Sequence, residues 1–237
     1  MSGGQHRPRH LVILDAGSTL LMVRSETRRQ QIREVSPLPA EQISRIVHEQ
    51  VMTMAYDEFT PGRIGALAAR LGIPVDQFPY RPDVSGQEFV LSPAAPTVVA
   101  SLARVARVAV LSNMTAFDAH ALRAVLTAGL RDIEQVWLSC EIGVAKPDAR
   151  AFHLCAEAVG VPVENCVMIG DSFPNDIAGA LNAGMRAGWL NRDRHRIPAM
   201  YAGHVAAGRL VEADSLADVA DAAARLWLPL AGGTGLP

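Results

Sequence analysis

The chain has 237 residues, 49% hydrophobic and 19% charged, enough for one α/β domain with an inserted or appended module, and its composition is neither disordered nor coiled-coil. A formal net charge of −2 carries no polybasic signature, which argues against nucleic acid or an anionic membrane as a large-surface partner. Three cysteines, Cys140, Cys155 and Cys166, cannot close a disulfide set and lack zinc-ligand spacing, so a reducing cytoplasm is the expected location.

The first ten residues are polar and basic, and the apolar stretch after them is interrupted by Asp15, too short for a signal or membrane segment. Apolar runs bounded by turn residues predict strands at Leu11–Leu14, Val108–Leu111, Val136–Leu138, Val167–Ile169 and Ala187–Leu190. Amphipathic stretches predict helices at Pro96–Val105, Phe117–Thr127, Asp148–Val159, Pro174–Ala183 and Ser215–Leu226. Short strands alternating with helices of this length imply a mostly parallel sheet with helices on both faces. The first strand is the exception, because the segment from about Leu21 to Leu91 is far longer than a crossover needs. It reads as helices throughout, Arg24–Val35, Ala40–Phe59 and Pro61–Leu71, then a proline-rich stretch through Pro74, Pro79 and Pro82, with no strand alternation. An inserted helical module is the simplest account, and the tail Pro229 to Pro237 is expected to fray.

Four strand ends carry the chemistry. Asp15 follows Leu11–Leu14 and opens the turn Ala16-Gly17-Ser18-Thr19, where a rigidly held carboxylate can act as a nucleophile. Ser112 and Asn113 follow the second strand and are candidates to bind substrate; Lys146-Pro147 precedes a helix, with the proline expected in its first turn, aiming the lysine at the same rim. Asp171 follows Gly170, and Asp176 lies just inside the next helix. In a parallel sheet these ends share one rim, so the residues should converge in one crevice. A carboxylate attacking phosphorus meets charge repulsion, and Asp15 and Asp171 offer hard oxygens suited to Mg²⁺. Ser112 can donate to a phosphoryl oxygen, Lys146 can neutralise another, and the Ala16 and Gly17 amides can bind a third. Lys146 is the only lysine among 22 basic residues, which suggests a position where a compact ammonium is needed and a guanidinium will not serve.

The strings LVILDAGSTL, VLSN, AKPD and GDSFPNDIAGALNAGM resemble, in order, the four motifs of the haloacid dehalogenase superfamily. The resemblance implies a Rossmann-like core over residues 1–20 and 92–237 and a helical cap over 21–91. It further implies a covalent aspartyl-phosphate at Asp15, with Ser112 and Lys146 binding the transferring group. Asp171 would bind Mg²⁺, with the Gly17 main chain as a further ligand, and Asp176 would ligate the metal or orient Lys146. A Mg²⁺-dependent phosphatase acting on a small phosphomonoester, such as a sugar phosphate or phosphorylated biosynthetic intermediate, is the activity this resemblance favours.

One position departs from the pattern. Phosphatases of this superfamily carry a second Asp, two residues after the nucleophile, which protonates the leaving group and activates water; here Gly17 stands there. General acid–base help is worth ~10²–10⁴ in rate, so another group must supply it. Ser18, Thr19, His48, Glu49, Tyr56 and Asp57 are the candidates, with a solvated helix face the blander reading of His48. Arg24, Arg28, Arg29 and Arg33 read as a solvated charged face, and Met52 and Met54 as core of the helical module. Superfamily phosphonate hydrolases use a second lysine, which this chain lacks. A metal-independent dehalogenase is an alternative that Asp171 argues against, and a catalytically silent binding protein of the same fold is another.

Overall fold

The computed structural model describes residues 10–23, 28–79 and 89–228. Arg24, Pro82 and the tail from Pro229 onward lie outside the described residues, as does the expected start of the first helix.

Six strands form one parallel sheet: β1 (Leu11–Leu14), β4 (Arg107–Ser112), β5 (Gln135–Leu138), β6 (Cys166–Gly170), β7 (Arg186–Leu190) and β8 (Leu210–Ala213). Two more, β2 (Leu21–Val23) and β3 (Phe89–Leu91), make a separate antiparallel ribbon. The sheet order is β5-β4-β1-β6-β7-β8, the doubly wound arrangement in which the chain leaves the central strand in opposite directions. Its inner strands are buried on both faces, which explains why they read as continuous apolar runs. Val12, Leu14, Val110 and Ile169 pack on one face beneath helices Ala95–Ala103, Ala116–Gly129 and Leu216–Trp227. Leu11, Ile13, Leu111 and Met168 pack on the other beneath helix Ala149–Val159 and the segment after β6.

The five sequence-predicted strands are all present, and each helix expected after β3 overlaps a helical segment. The sixth sheet strand, β8, was not expected. It is a short edge strand paired only with β7 and partly exposed, so it lacks the unbroken apolar run of the inner strands.

The segment between β1 and β4 departs from expectation in two ways. Its two ends are strands, with Leu21 opposite Leu91 and Val23 opposite Phe89, and Ser92 N donates to Leu20 O at 2.8 Å. Runs of three residues show no alternation, and each is stabilised only by its distant partner. Between them, helices Arg28–Val35, Ala40–Gln50 and Pro61–Leu71 enclose their own apolar core, which includes Ile43, Val47, Leu67 and Phe78. The helix predicted over Ala40–Phe59 stops at Gln50. The chain then turns, and Glu58 Oε2 accepts from Ala55 N at 2.8 Å, starting a new short turn at Tyr56–Glu58. This break places Met52 against the sheet domain, where its carbonyl accepts from the buried Ser139 hydroxyl. Phe117 packs on Phe59 with ring centroids 4.4 Å apart. Among the described residues no helix is long and apolar enough to cross a membrane.

Candidate active site

The register of the three central strands assembles the site. Leu14 is level with Val110 and Ile169, so Asp15, Ser112 and Asp171 all emerge at the same end of the sheet. Asp15 N donates to Ile169 O at 2.9 Å, so the residue that carries the carboxylate is still tied to the ladder. In the turn beyond it, Leu20 N and Leu21 N both donate to Ala16 O, and Ser18 takes a left-handed φ of 56°.

Lys146 is the hub. It is 1% exposed, and Nζ donates to Asp15 Oδ1 at 2.7 Å and to Leu111 O at 2.8 Å and lies 2.6 Å from Asp176 Oδ1. The expectation that Pro147 occupies a first helical turn is incorrect. The helix begins at Ala149 after the N-cap Asp148, and the Lys146–Pro147 peptide is cis. What positions the lysine is Asn113, whose Nδ2 donates to Lys146 O at 2.7 Å and whose Oδ1 accepts from Lys146 N at 2.8 Å. With both ends of its amide occupied, Asn113 acts as a clamp on the lysine loop.

Asp176 owes its place to a widened helical turn over Phe173–Ala178, in which Ile177 N reaches back five residues to Ser172 O. Its Oδ2 accepts from Ser172 N at 3.0 Å. Gly170 is required beneath it, because a Cβ there would stand 2.3 Å from Asp176 Oδ2. Asp171 is half-buried; Thr19 Oγ1 donates to its Oδ1 at 3.5 Å, and Trp189 Nε1 donates to its carbonyl at 3.0 Å. Neither Thr19 nor Trp189 carries a sequence signal for this role, since both contacts are long-range.

One ammonium faces three carboxylates here. Burial, with Asp176 and Asp171 nearby, pushes Asp15 up to about 7 against the pull of Lys146. Burial and Asp176 also raise Asp171. Burial opposes the charge on Lys146, but Asp15 and Asp176 outweigh it and hold its pKa above the ordinary lysine value. Asp15, Asp171 and Asp176 each offer an oxygen within 4.8 Å of the others. Surplus negative charge and hard oxygen donors suit a divalent cation of the Mg²⁺ or Ca²⁺ kind.

These residues, with Ser112 and Gly17, line a cavity of about 190 Å³. The helical segment contributes two of its walls, His48 and Met52. Met52 lines the cavity and also packs against the helical core, and Met54 lies buried in that core, as expected of both. Of the other stand-ins considered for the missing acid, Thr19 is buried against Asp171 and Ser18 is exposed on the turn. Glu49 lines a different groove, with Arg63 and Arg70. Tyr56 is an exposed ring set edge-on to Phe117, and Asp57 is exposed. Arg33 donates to Ser44 Oγ at 3.2 Å on the outer face of the helical segment. The three cysteines are free and buried.

A family model described as haloacid dehalogenase-like hydrolase matches residues 10–184. The phosphoserine phosphatase of Thermus thermophilus is 32% identical over 157 residues, 56% of this chain and 60% of that protein, so the match spans less than two thirds of the relative. A phosphatase from Mycobacterium tuberculosis is 29% identical over 192 residues, 76% of this chain and 87% of the relative. A 2-haloacid dehalogenase from Pseudomonas syringae has a similar fold, with a TM-score of 0.59 at 20% identity, over 91% of this chain and 98% of that one.

Proposed function

This chain belongs to the haloacid dehalogenase-like hydrolases, and from that membership we propose that it is a Mg²⁺-dependent phosphatase acting on a small organic phosphomonoester, a sugar phosphate or a phosphorylated biosynthetic intermediate. The observation that carries the proposal is the buried Lys146 bridging Asp15 and Asp176, with Asp171 completing a three-carboxylate cluster at one sheet edge. Relatives that bear phosphatase names point the same way.

Asp15 is the nucleophile. Its Oδ1 is fixed by Lys146, leaving the other oxygen to attack phosphorus along the line of the scissile P–O bond and form an aspartyl-phosphate. Ser112 donates to a phosphoryl oxygen from the end of β4. Asp15 and Asp171, with the Gly17 carbonyl, would hold the cation, which when bound offsets the repulsion between carboxylate and phosphate. Asp176 forms an ion pair with Lys146 Nζ through Oδ1 and accepts from Ser172 N through Oδ2, which suits it to positioning the lysine. Residues 21–91 act as a cap whose closure expels water and strengthens each charge contact beneath it.

The test is inorganic phosphate release from a panel of small phosphomonoesters, with Mg²⁺ and with chelator, for the wild-type protein and Asp15→Asn. Release that needs Mg²⁺ and drops at least ~10³-fold in Asp15→Asn is expected. Chelator-resistant turnover, or an active Asp15→Asn protein, overturns the proposal. Halide release that survives chelation would assign the site to dehalogenation instead.

A further inference from the structure

The helical segment and the sheet domain meet around the cavity, and Ser139 is where their relative position becomes chemically specific. Tyr56 and Phe59 of the segment pack on Phe117, but apolar contact is non-directional and tolerates sliding. A hydrogen bond is directional. Ser139 follows β5 directly and is fully buried. Its Oγ accepts from Met114 N at 3.0 Å and donates to Met52 O. Met114 stands two residues beyond Ser112 at the end of β4, and Met52 two residues beyond the end of helix Ala40–Gln50. Both methionines line the cavity. One hydroxyl therefore ties a wall contributed by the sheet domain to a wall contributed by the helical segment.

That hydroxyl has a single proton and two acceptors in reach. Met114 O lies 3.3 Å from Oγ, on the sheet domain's own side, and one proton cannot serve both carbonyls fully. We propose that Ser139 is a latch, a positioning residue that holds the helical segment seated over the cavity and releases it without orphaning a buried polar group. With the segment seated, the proton goes to Met52 O. With the segment lifted, the hydroxyl turns to Met114 O, its bond from Met114 N stays, and the freed Met52 carbonyl meets water. Opening then exchanges one hydrogen bond for others, where an abandoned buried hydroxyl would hold the segment shut. The consequence for turnover rests on the phosphatase reading above; the latch itself does not.

Removing one neutral hydrogen bond shifts such an equilibrium ~2–10-fold toward the open form. Ser139→Ala also leaves Met114 N unpaired in both positions, so a lowered Tm is expected whether or not the hydroxyl is a latch. The decisive readout is local.

Oxidation of methionines by hydrogen peroxide, followed peptide by peptide by mass, reports opening without any substrate. Met200 is 81% exposed and marks free access. Met168 and Met185 lie buried in the sheet domain and Met54 in the helical core, so these three react only when their own part of the molecule unfolds. Met114 is 8% exposed and walls the cavity, so among the buried methionines of the described residues it is the one that gains access when the segment lifts. In wild type, well below its unfolding range, Met114 should oxidise faster than Met54, Met168 and Met185. In Ser139→Ala its rate should rise ~2–10-fold while those three hold. Met114 reacting only in step with Met168 and Met185 overturns the latch, on wild type alone if the variant does not fold. A folded Ser139→Ala with an unchanged Met114 rate overturns it as well.

On phosphomonoesters with Mg²⁺, KM of Ser139→Ala should rise by the same factor as the Met114 rate, with kcat reduced less, because a less populated seated form weakens apparent binding. A raised Met114 rate at unaltered KM overturns the role in turnover. A wild type that hydrolyses no phosphomonoester overturns the phosphatase reading, and the oxidation result still decides the latch.

Discussion

Gly170→Ala tests the geometry that holds the lysine. An added Cβ would stand 2.3 Å from Asp176 Oδ2, 2.6 Å from its Cγ and 2.8 Å from its Cβ, against about 3.5 Å for a comfortable carbon contact. Asp176 is 1% exposed and has no room to retreat without losing its partners, Lys146 Nζ and Ser172 N. Overpacking costs ~1–3 kcal/mol, and loss of a charged hydrogen bond adds ~1.5–3 kcal/mol. A destabilisation of about 3–5 kcal/mol lowers Tm by roughly 6–20 °C for a chain of this size. Thermal unfolding measures it directly. The same alanine placed in an Asp176→Gly background meets no clash, and there it should cost under about 1 kcal/mol, a coupling that a double-mutant cycle reads. Equal destabilisation in both backgrounds would show that the carboxylate is not what Gly170 accommodates.

Lys146→Arg introduces a larger, planar cation into a closed site whose three acceptors are arranged around a point donor; we expect kcat/KM to fall by more than ~10²-fold, and near-normal turnover would undo the argument from the lone lysine. Metal-linked stability should depend on pH. Asp15 is pushed up to about 7 and Asp171 is also raised, so without metal the folded state binds more protons than the unfolded one between about pH 4 and 7, and this contribution to stability falls as pH rises through that window. The gain in Tm from Mg²⁺ over chelator should therefore grow from pH 5 to pH 8, and a gain that shrinks refutes the charge assignment. Burial pushes Cys140 up to about 11 and Cys155 and Cys166 to about 12. A thiol reagent at pH 8 should label none of them in the native protein and all three in denaturant; native labelling, read by mass, would contradict their burial.

Much of the sheet is legible in the sequence because inner parallel strands lie between two layers of helices. Burial on both faces writes itself as an unbroken apolar run, as at Leu11–Leu14 and Val167–Ile169. The strands that escaped, β2, β3 and β8, are short; β2 and β3 pair with each other across a long stretch of chain, and β8 is a partly exposed edge. The break after Gln50 escaped for a related reason. Apolar periodicity runs on past it, and only the Glu58 bond to Ala55 N and the contact of Met52 with Ser139 show why the helix ends.

Within the site, the residue types and their strand-end positions are properties of the sequence: Asp15, Ser112, Lys146 and Asp171 follow from apolar runs that stop where a polar group begins. Their convergence follows from strand polarity. Tertiary structure alone decided which polar groups are spent on one another. That Asn113 clamps the lysine loop, that Asp176 pairs with Lys146, and that His48 lines the cavity depend on pairings between segments far apart in the chain. Hydrogen-bond capacity is a local attribute of each residue, but its allocation is set by whichever neighbours folding delivers, and no local pattern encodes that.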